Sequence, residues 1–307
     1  MIRRSSIFIL ATVILLTAIV AEGQSRRLTD EIGRKVTISE SPRRIISLAP
    51  GITETLFALG LDQEIVGVTS YCDYPEIALT KPRIGGFINP NVEKIISLKP
   101  DLIIGTRDGN RWETIQQLEG IGLPVYLVNP KGFNGVTRMI KNIGEIVERK
   151  ERSQEMIREI LRKKEQVVAN TRFLPRPKVF FQIGYRPIMT VGQGSLADDL
   201  LRFAGGKSIS ENERAIYPLF PIETILKKAP EVIIISSMGG KSTKLSSEEN
   251  HADLREMWQQ WKDIPAVQAQ AIYLIDSNLV DRPSPRIIKG LEIMTKMIHP
   301  NQTGGKP

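Results

Sequence analysis

The apolar positions of this chain fall in short branched runs separated by amphipathic segments, and one such arrangement occurs twice. Residues 93–104 read Glu93-Lys-Ile-Ile-Ser-Leu-Lys-Pro100-Asp101-Leu-Ile-Ile104, and residues 223–234 read Glu223-Thr-Ile-Leu-Lys-Lys-Ala-Pro230-Glu231-Val-Ile-Ile234. Both follow E-x-I-x4-P-D/E-L/V-I-I. The helix dipole favours an acid in a first turn, and proline cannot continue a helix. The short run that follows suits a strand covered on both faces of a parallel sheet. Each copy predicts a short amphipathic helix leading into a buried strand. Two copies predict two similar α/β lobes.

The flanking pattern extends this. After a polar stretch over 24–42, strand-like runs over 44–48, 65–69 and 125–128 alternate with helical segments over 53–59 and 111–120, the first capped by Thr53 and closed by Gly60. From 134 to 170 the strands stop. One helix runs to about 148. A second, over 150–172, carries an apolar stripe of Met156, Ile157, Ile160, Leu161, Val167 and Val168 and a Glu159–Lys163 pair on its charged back. At roughly 33 Å it is long enough to cross between lobes, the alternative being a helix that covers one domain. Strands over 178–183, 187–191 and 272–275 then alternate with helices over 195–204, 252–261 and a last one ending near 298, with a polar Gly/Ser-rich loop over 238–250. The expected fold is α/β: lobes with parallel sheets over 24–149 and 175–307, joined by a single long helix over 150–174.

Length and composition agree with this. The chain has 307 residues, enough for two lobes, and its 41% hydrophobic and 25% charged content is that of a soluble globular protein. The first 23 residues differ. Arg3 and Arg4 precede an uncharged apolar run over 7–21, and Ala21-Glu22-Gly23 closes it with small residues, the order of a secretory signal peptide cleaved near Gly23/Gln24. The run is about 15 residues, short of the roughly 20 that span a membrane; a retained anchor is the alternative. The mature chain is expected in the periplasm as a monomer. The single cysteine, Cys72, excludes an intramolecular disulfide and a cysteine-built metal site. The net charge of +8 is scattered, without the aromatic-interleaved basic stripe of a nucleic-acid binder.

Catalytic patterns fail on context. Gly192-Gln-Gly194-Ser-Leu-Ala197, with Glu211 downstream, spells a dinucleotide fingerprint, but no apolar strand over 207–214 delivers the acid. There is no G-x-S-x-G elbow. The histidines, His251 and His299, fall in a polar loop and near the chain end and read as surface residues; no His/Cys cluster marks a metal. An exported dinucleotide-dependent enzyme is the rival to a non-catalytic binder without cofactor. What remains is aromatic residues in strand-end loops: Tyr71, Tyr74 and Phe87 from the first lobe, and Tyr185, Tyr217 and Phe220, with Arg282, from the second. Together they predict a cleft for a large, flat, partly apolar ligand.

Arg43-Arg-Ile-Ile-Ser-Leu-Ala-Pro50-Gly-Ile-Thr-Glu54-Thr-Leu-Phe-Ala-Leu-Gly60 and Val66-Gly-Val-Thr-Ser-Tyr71-Cys-Asp73-Tyr74-Pro75 resemble the vitamin B12 substrate-binding proteins of ABC importers, over roughly residues 42–298. The doubled module is shared with the wider iron-siderophore, haem and B12 class. The resemblance implies two Rossmann-like lobes on one rigid helix, a corrinoid in the cleft, and delivery to a permease dimer in the inner membrane, with haem or a ferric siderophore as the alternative ligand. It implies that Tyr71 and Arg282 contact ligand. Phe87 and Tyr217 stand where the family example has tryptophan, and Asn278 where it has aspartate. Glu93 and Glu223 match the two family glutamates, one per lobe, that meet permease arginines.

Overall fold

Alternating sequence in the polar opening stretch folds into an antiparallel hairpin, β1 (Ser25–Thr29) with β2 (Lys35–Ser39), where its polar composition predicts no element. The computed structural model describes residues 25–237 and 256–301. The leader over 1–23, the loop over 238–250, His251 and the start of the helix expected over 252–261 lie outside the described residues. Glu31 of the hairpin is tied to the first lobe through the backbone N–H of Asn129 (2.8 Å) and the side-chain amide of Asn142 (2.9 Å).

In the first lobe β3 (Ile45–Ser47), β4 (Ile65–Val68), β5 (Leu102–Thr106) and β6 (Val125–Val128) form a parallel sheet in the order β4-β3-β5-β6. In the second, β7 (Lys178–Tyr185), β8 (Ile188–Thr190), β9 (Lys207–Ser208), β10 (Val232–Ser237) and β11 (Ile272–Asp276) run β11-β10-β7-β8, with β9 also on β7. Only β8 is antiparallel here. The connecting helices are α1 (Pro50–Ala58), α2 (Val92–Ser97), α3 (Trp112–Gly120), α4 (Gly132–Ile146), α5 (Lys150–Thr171), α6 (Leu196–Phe203), α7 (Ile222–Lys228), α8 (Pro265–Gln268), α9 (Ser277–Val280) and α10 (Ile287–Ile298).

The doubled module has a physical rationale in both lobes. α2 and α7 end just before a residue in left-handed conformation, Lys99 (φ 45°) and Ala229 (φ 49°), each followed by the proline that bars further helix. The acid after the proline then ties its strand to the neighbouring one. Asp101 accepts from the backbone N–H groups of Arg43 (2.8 Å) and Arg44 (2.9 Å), and Glu231 from that of Lys178 (2.8 Å). Their own N–H groups return bonds to the carbonyls of Arg44 and Lys178.

The outer faces of the sheets have separate cores, Ile46, Ile103 and Leu127 in one lobe and Phe180, Ile233 and Trp258 in the other. Their inner faces share one, which runs from Ile45 and Leu102 through Phe133 and Ile143 of α4 to Leu200 and Leu291. α5 lies against it through Met156, Ile157, Ile160 and Leu161, with the expected Glu159–Lys163 pair at 3.4 Å. Val168, placed in the apolar stripe by periodicity, is exposed instead. The lobes also touch directly: the Phe133 N–H donates to Asp199 (2.8 Å), and the Phe133 and Phe203 rings meet edge to face at 5.3 Å. Two other expectations are corrected. α1 starts at Pro50, so Thr53 lies inside it and bonds back to the Ala49 carbonyl; and His299 is buried, its ring against Gly205.

Candidate functional site

A cleft of about 870 Å³ lies between the lobes, walled by segments that follow the carboxyl ends of the parallel strands. That volume is in the upper part of the roughly 300–1,000 Å³ range of small-molecule sites. Tyr71 and Phe87 line it from the first lobe and Tyr217 from the second. Phe87 stands six residues before Glu93 and Tyr217 six before Glu223. The doubled module therefore extends to an aromatic residue in each lobe facing the same space.

Buried polar contacts position the two aromatics of the first lobe. Asn110 accepts from the Thr106 N–H (2.8 Å) and donates to the carbonyls of Phe87 (2.9 Å) and Leu48 (3.2 Å), pinning the Phe87 loop to the sheet. The Phe87 ring rests on Gly109, where any side chain would overlap it. Arg83 donates to the carbonyls of Thr69 (2.9 Å) and Cys72 (2.7 Å), holding the Tyr71 turn. Tyr71 and Tyr217 are 57% and 58% exposed, free to cover a ligand rather than committed to packing.

One rim is closed by charge. Glu54, in the otherwise uncharged helix α1 and only 4% exposed, accepts from Arg286 Nε (2.8 Å) and Nη2 (2.6 Å) and from Arg282 Nη1 (3.3 Å). Arg282 Nη1 also donates to Asp73 (2.6 Å). Two carboxylates of the first lobe thus hold two guanidinium groups of the second. At the same rim Gly51 lies so close to the Pro283 carbonyl that a side chain there would collide with it. The sequence over 52–59 signals Glu54 only by its being the one charge within that segment.

The expected site residues are distributed as follows. Tyr71, Phe87, Tyr217, Asn278 and Arg282 line the cleft. Tyr74 does not: its ring lies over the Arg286 guanidinium at 3.9 Å, behind the rim. Tyr185 lines a separate hollow of about 380 Å³ with Met257, Trp258 and Trp261. A bulge between Gln182 and Gly184, where β7 takes up antiparallel β8, re-aims the strand end. Phe220 is core, stacked on Phe180 at 6.0 Å. Sequence reasoning missed Asp108, Asn129, Ser236 and Asp281, all in the lining. Ser236 donates to Asp281 at 2.6 Å. Desolvation raises the Asp281 carboxyl to about 6 although the residue keeps exposed surface; the Ser236 bond opposes the rise and Asp276 adds to it. The Tyr217 phenol is raised by burial and then by Asp281 and Asp108.

Glu93 and Glu223 sit in the first turns of α2 and α7, exposed, and neither makes an ion pair among the described residues. Glu211, the acid of the apparent dinucleotide fingerprint, pairs with Lys207 at 3.3 Å. Among the described residues no group of His, Cys, Asp and Glu is placed to hold a metal ion.

Residues 45–279 match the family described as periplasmic binding protein. The chain is 29% identical to the vitamin B12-binding protein of Vibrio vulnificus (strain CMCP6) over 259 residues, 84% of this chain and 90% of that protein. It is 28% identical to an uncharacterized ABC transporter substrate-binding lipoprotein of Bacillus subtilis (strain 168) over 281 residues, 89% of this chain and 85% of that protein. The crystal structure of the periplasmic vitamin B12 binding protein of Vibrio cholerae superposes with a TM-score of 0.73 at 28% identity, covering 85% of this chain and 98% of that one.

Proposed function

The chain belongs to the periplasmic binding protein family, and from that premise we propose that it captures a corrinoid of the vitamin B12 type between its lobes and passes it unchanged to an ABC importer. The observation that carries this reading is the convergence of Tyr71, Phe87 and Tyr217, from both lobes, on one cleft of about 870 Å³. A flat macrocycle with a partly apolar face matches aromatic walls, which stack at little cost in side-chain entropy. Asn278 supplies a polar contact to the ligand periphery, and Arg282 orders the rim next to Tyr71. The similarity to vitamin B12-binding proteins along most of the chain supports the same ligand.

In this reading residues 24–149 and 175–307 are the two lobes and 150–174 the helix between them. Glu93 and Glu223 present one carboxylate per lobe to a two-fold permease, where arginines form charge-assisted pairs with them. The protein acts outside the cytoplasm as a monomer, its leader removed near Gly23/Gln24. Calorimetric titration with cobalamin tests the ligand: one equivalent bound per chain is expected, and no heat and no retention on dialysis would overturn the reading.

A further inference from the structure

Among the described residues, the charged residues of the cleft lining are Asp108 from one lobe and Asp281 and Arg282 from the other. Arg282 is already matched: Asp73 and the nearly buried Glu54 accept from its guanidinium at 2.6 and 3.3 Å. The two aspartates have no such counter-charge. Asp281 is bonded to neutral Ser236, both aspartates are exposed, and neither makes an ion pair among the described residues. The lining also offers the neutral amides of Asn89, Asn129 and Asn278. An anionic ligand entering this space gives up hydration to face like charge, whereas a carboxamide gives N–H donors to the aspartates and C=O acceptors to the asparagines.

We propose that the cleft selects its macrocycle by peripheral charge, accepting one whose carboxyl groups are amidated and rejecting carboxylate-bearing forms, with Asp281 and Asp108 as specificity-determining residues. This rests on the corrinoid reading above and narrows its ligand class. It also means that Asp73, outside the lining, contributes to selection by keeping Arg282 neutralised.

The test is equilibrium binding, by visible absorbance, of cobinamide, an amidated corrin, and cobyrinic acid, the same macrocycle with free carboxylates. Both are titrated near neutral pH into the mature wild-type protein and into Asp281→Asn, Asp108→Asn and Asp73→Asn, with circular dichroism to verify folding. Wild type is expected to prefer cobinamide by about tenfold or more, the scale of one or two like-charge contacts in a partly screened site. Each folded variant is expected to narrow that ratio by about threefold or more, and added salt to narrow it in wild type. Equal affinity of wild type for both corrins, or a ratio unmoved in the folded variants, overturns the proposal while leaving corrinoid binding intact. Failure of wild type to bind either corrin overturns the corrinoid reading itself, and this inference with it.

Discussion

Glu54 of the first lobe and Arg286 of the second share two hydrogen bonds, Nε to Oε2 at 2.8 Å and Nη2 to Oε1 at 2.6 Å, across the rim of the cleft. The Glu54 side chain is 2% exposed, so its charge is stabilised by these partners rather than by water. Removing one partner of such a buried pair costs about 3–5 kcal/mol, because the other charge is left without compensation. Glu54→Gln is therefore expected to lower unfolding free energy by about that much in denaturant titration, and to loosen the lobes as seen by small-angle scattering. A loss below about 0.5 kcal/mol, typical of an exposed pair, would show that the rim is not held by this contact.

Aromatic truncations should separate the cleft from its surroundings. Tyr71→Ala and Tyr217→Ala remove half-exposed rings and are expected to weaken corrinoid binding by about 1–3 kcal/mol, roughly 5- to 150-fold, with little change in melting temperature. Phe87→Ala should lose stability as well, since its ring packs on Gly109 and the core. Tyr185→Ala, in the other hollow, should leave affinity where it is. A binding loss at Tyr185 equal to that at Tyr217 would contradict the cleft assignment.

The two exposed glutamates separate transport from binding. If Glu93 and Glu223 only favour helix starts, changing them to Gln costs about 0.3–1 kcal/mol of stability each and nothing else. If they dock to a permease, the double Gln variant keeps ligand affinity but loses most uptake in reconstituted vesicles, because interface charges set encounter and register. Normal uptake by the double variant would leave them as helix-start residues.

Asp281 should titrate near pH 6 by carbon NMR, about two units above an ordinary aspartate. Its neighbours in this titration are Asp276 and Ser236 within the second lobe, with Tyr217, Arg282 and, across the cleft, Asp108 as the other titratable or charged groups around it. Because its folded value lies above the unfolded one, the folded state holds the proton more tightly. The stability it adds is fully present below about pH 4 and is lost as pH rises through about 6. A midpoint near 4 would mean that cleft water reaches the carboxylate freely.

The features legible in the sequence were those set by local chemistry. Glu93, Pro100 and Asp101 specify helix, stop and strand within a dozen residues, and the second copy repeats them. The 150–172 helix was readable from its stripe, although Val168 shows that periodicity does not say where the covered face ends. The hairpin was missed although Lys35-Val-Thr-Ile-Ser39 alternates, because its charged strands resemble a polar tail. Which loop aromatic reaches the cleft depends on long-range placement. Tyr185 is turned away by a bulge formed with β8, and Tyr74 is drawn behind the rim by Arg286, more than 200 residues distant. The partnership of Glu54 with Arg282 and Arg286 is likewise invisible until the lobes are brought together.

A corrinoid held between aromatic walls would show in the visible spectrum of the mature protein. It is incubated separately with cobalamin, haem and a ferric siderophore and then freed of unbound ligand by gel filtration. A cobalamin spectrum is expected to co-elute at about one equivalent per chain, with little retention of the other two, since Glu54 and Asp73 already match Arg282, the one cation of the lining among the described residues, and Asp108 and Asp281 present like charge to an anionic ligand. A retained haem or siderophore spectrum, with cobalamin lost to the column, would contradict the corrinoid reading.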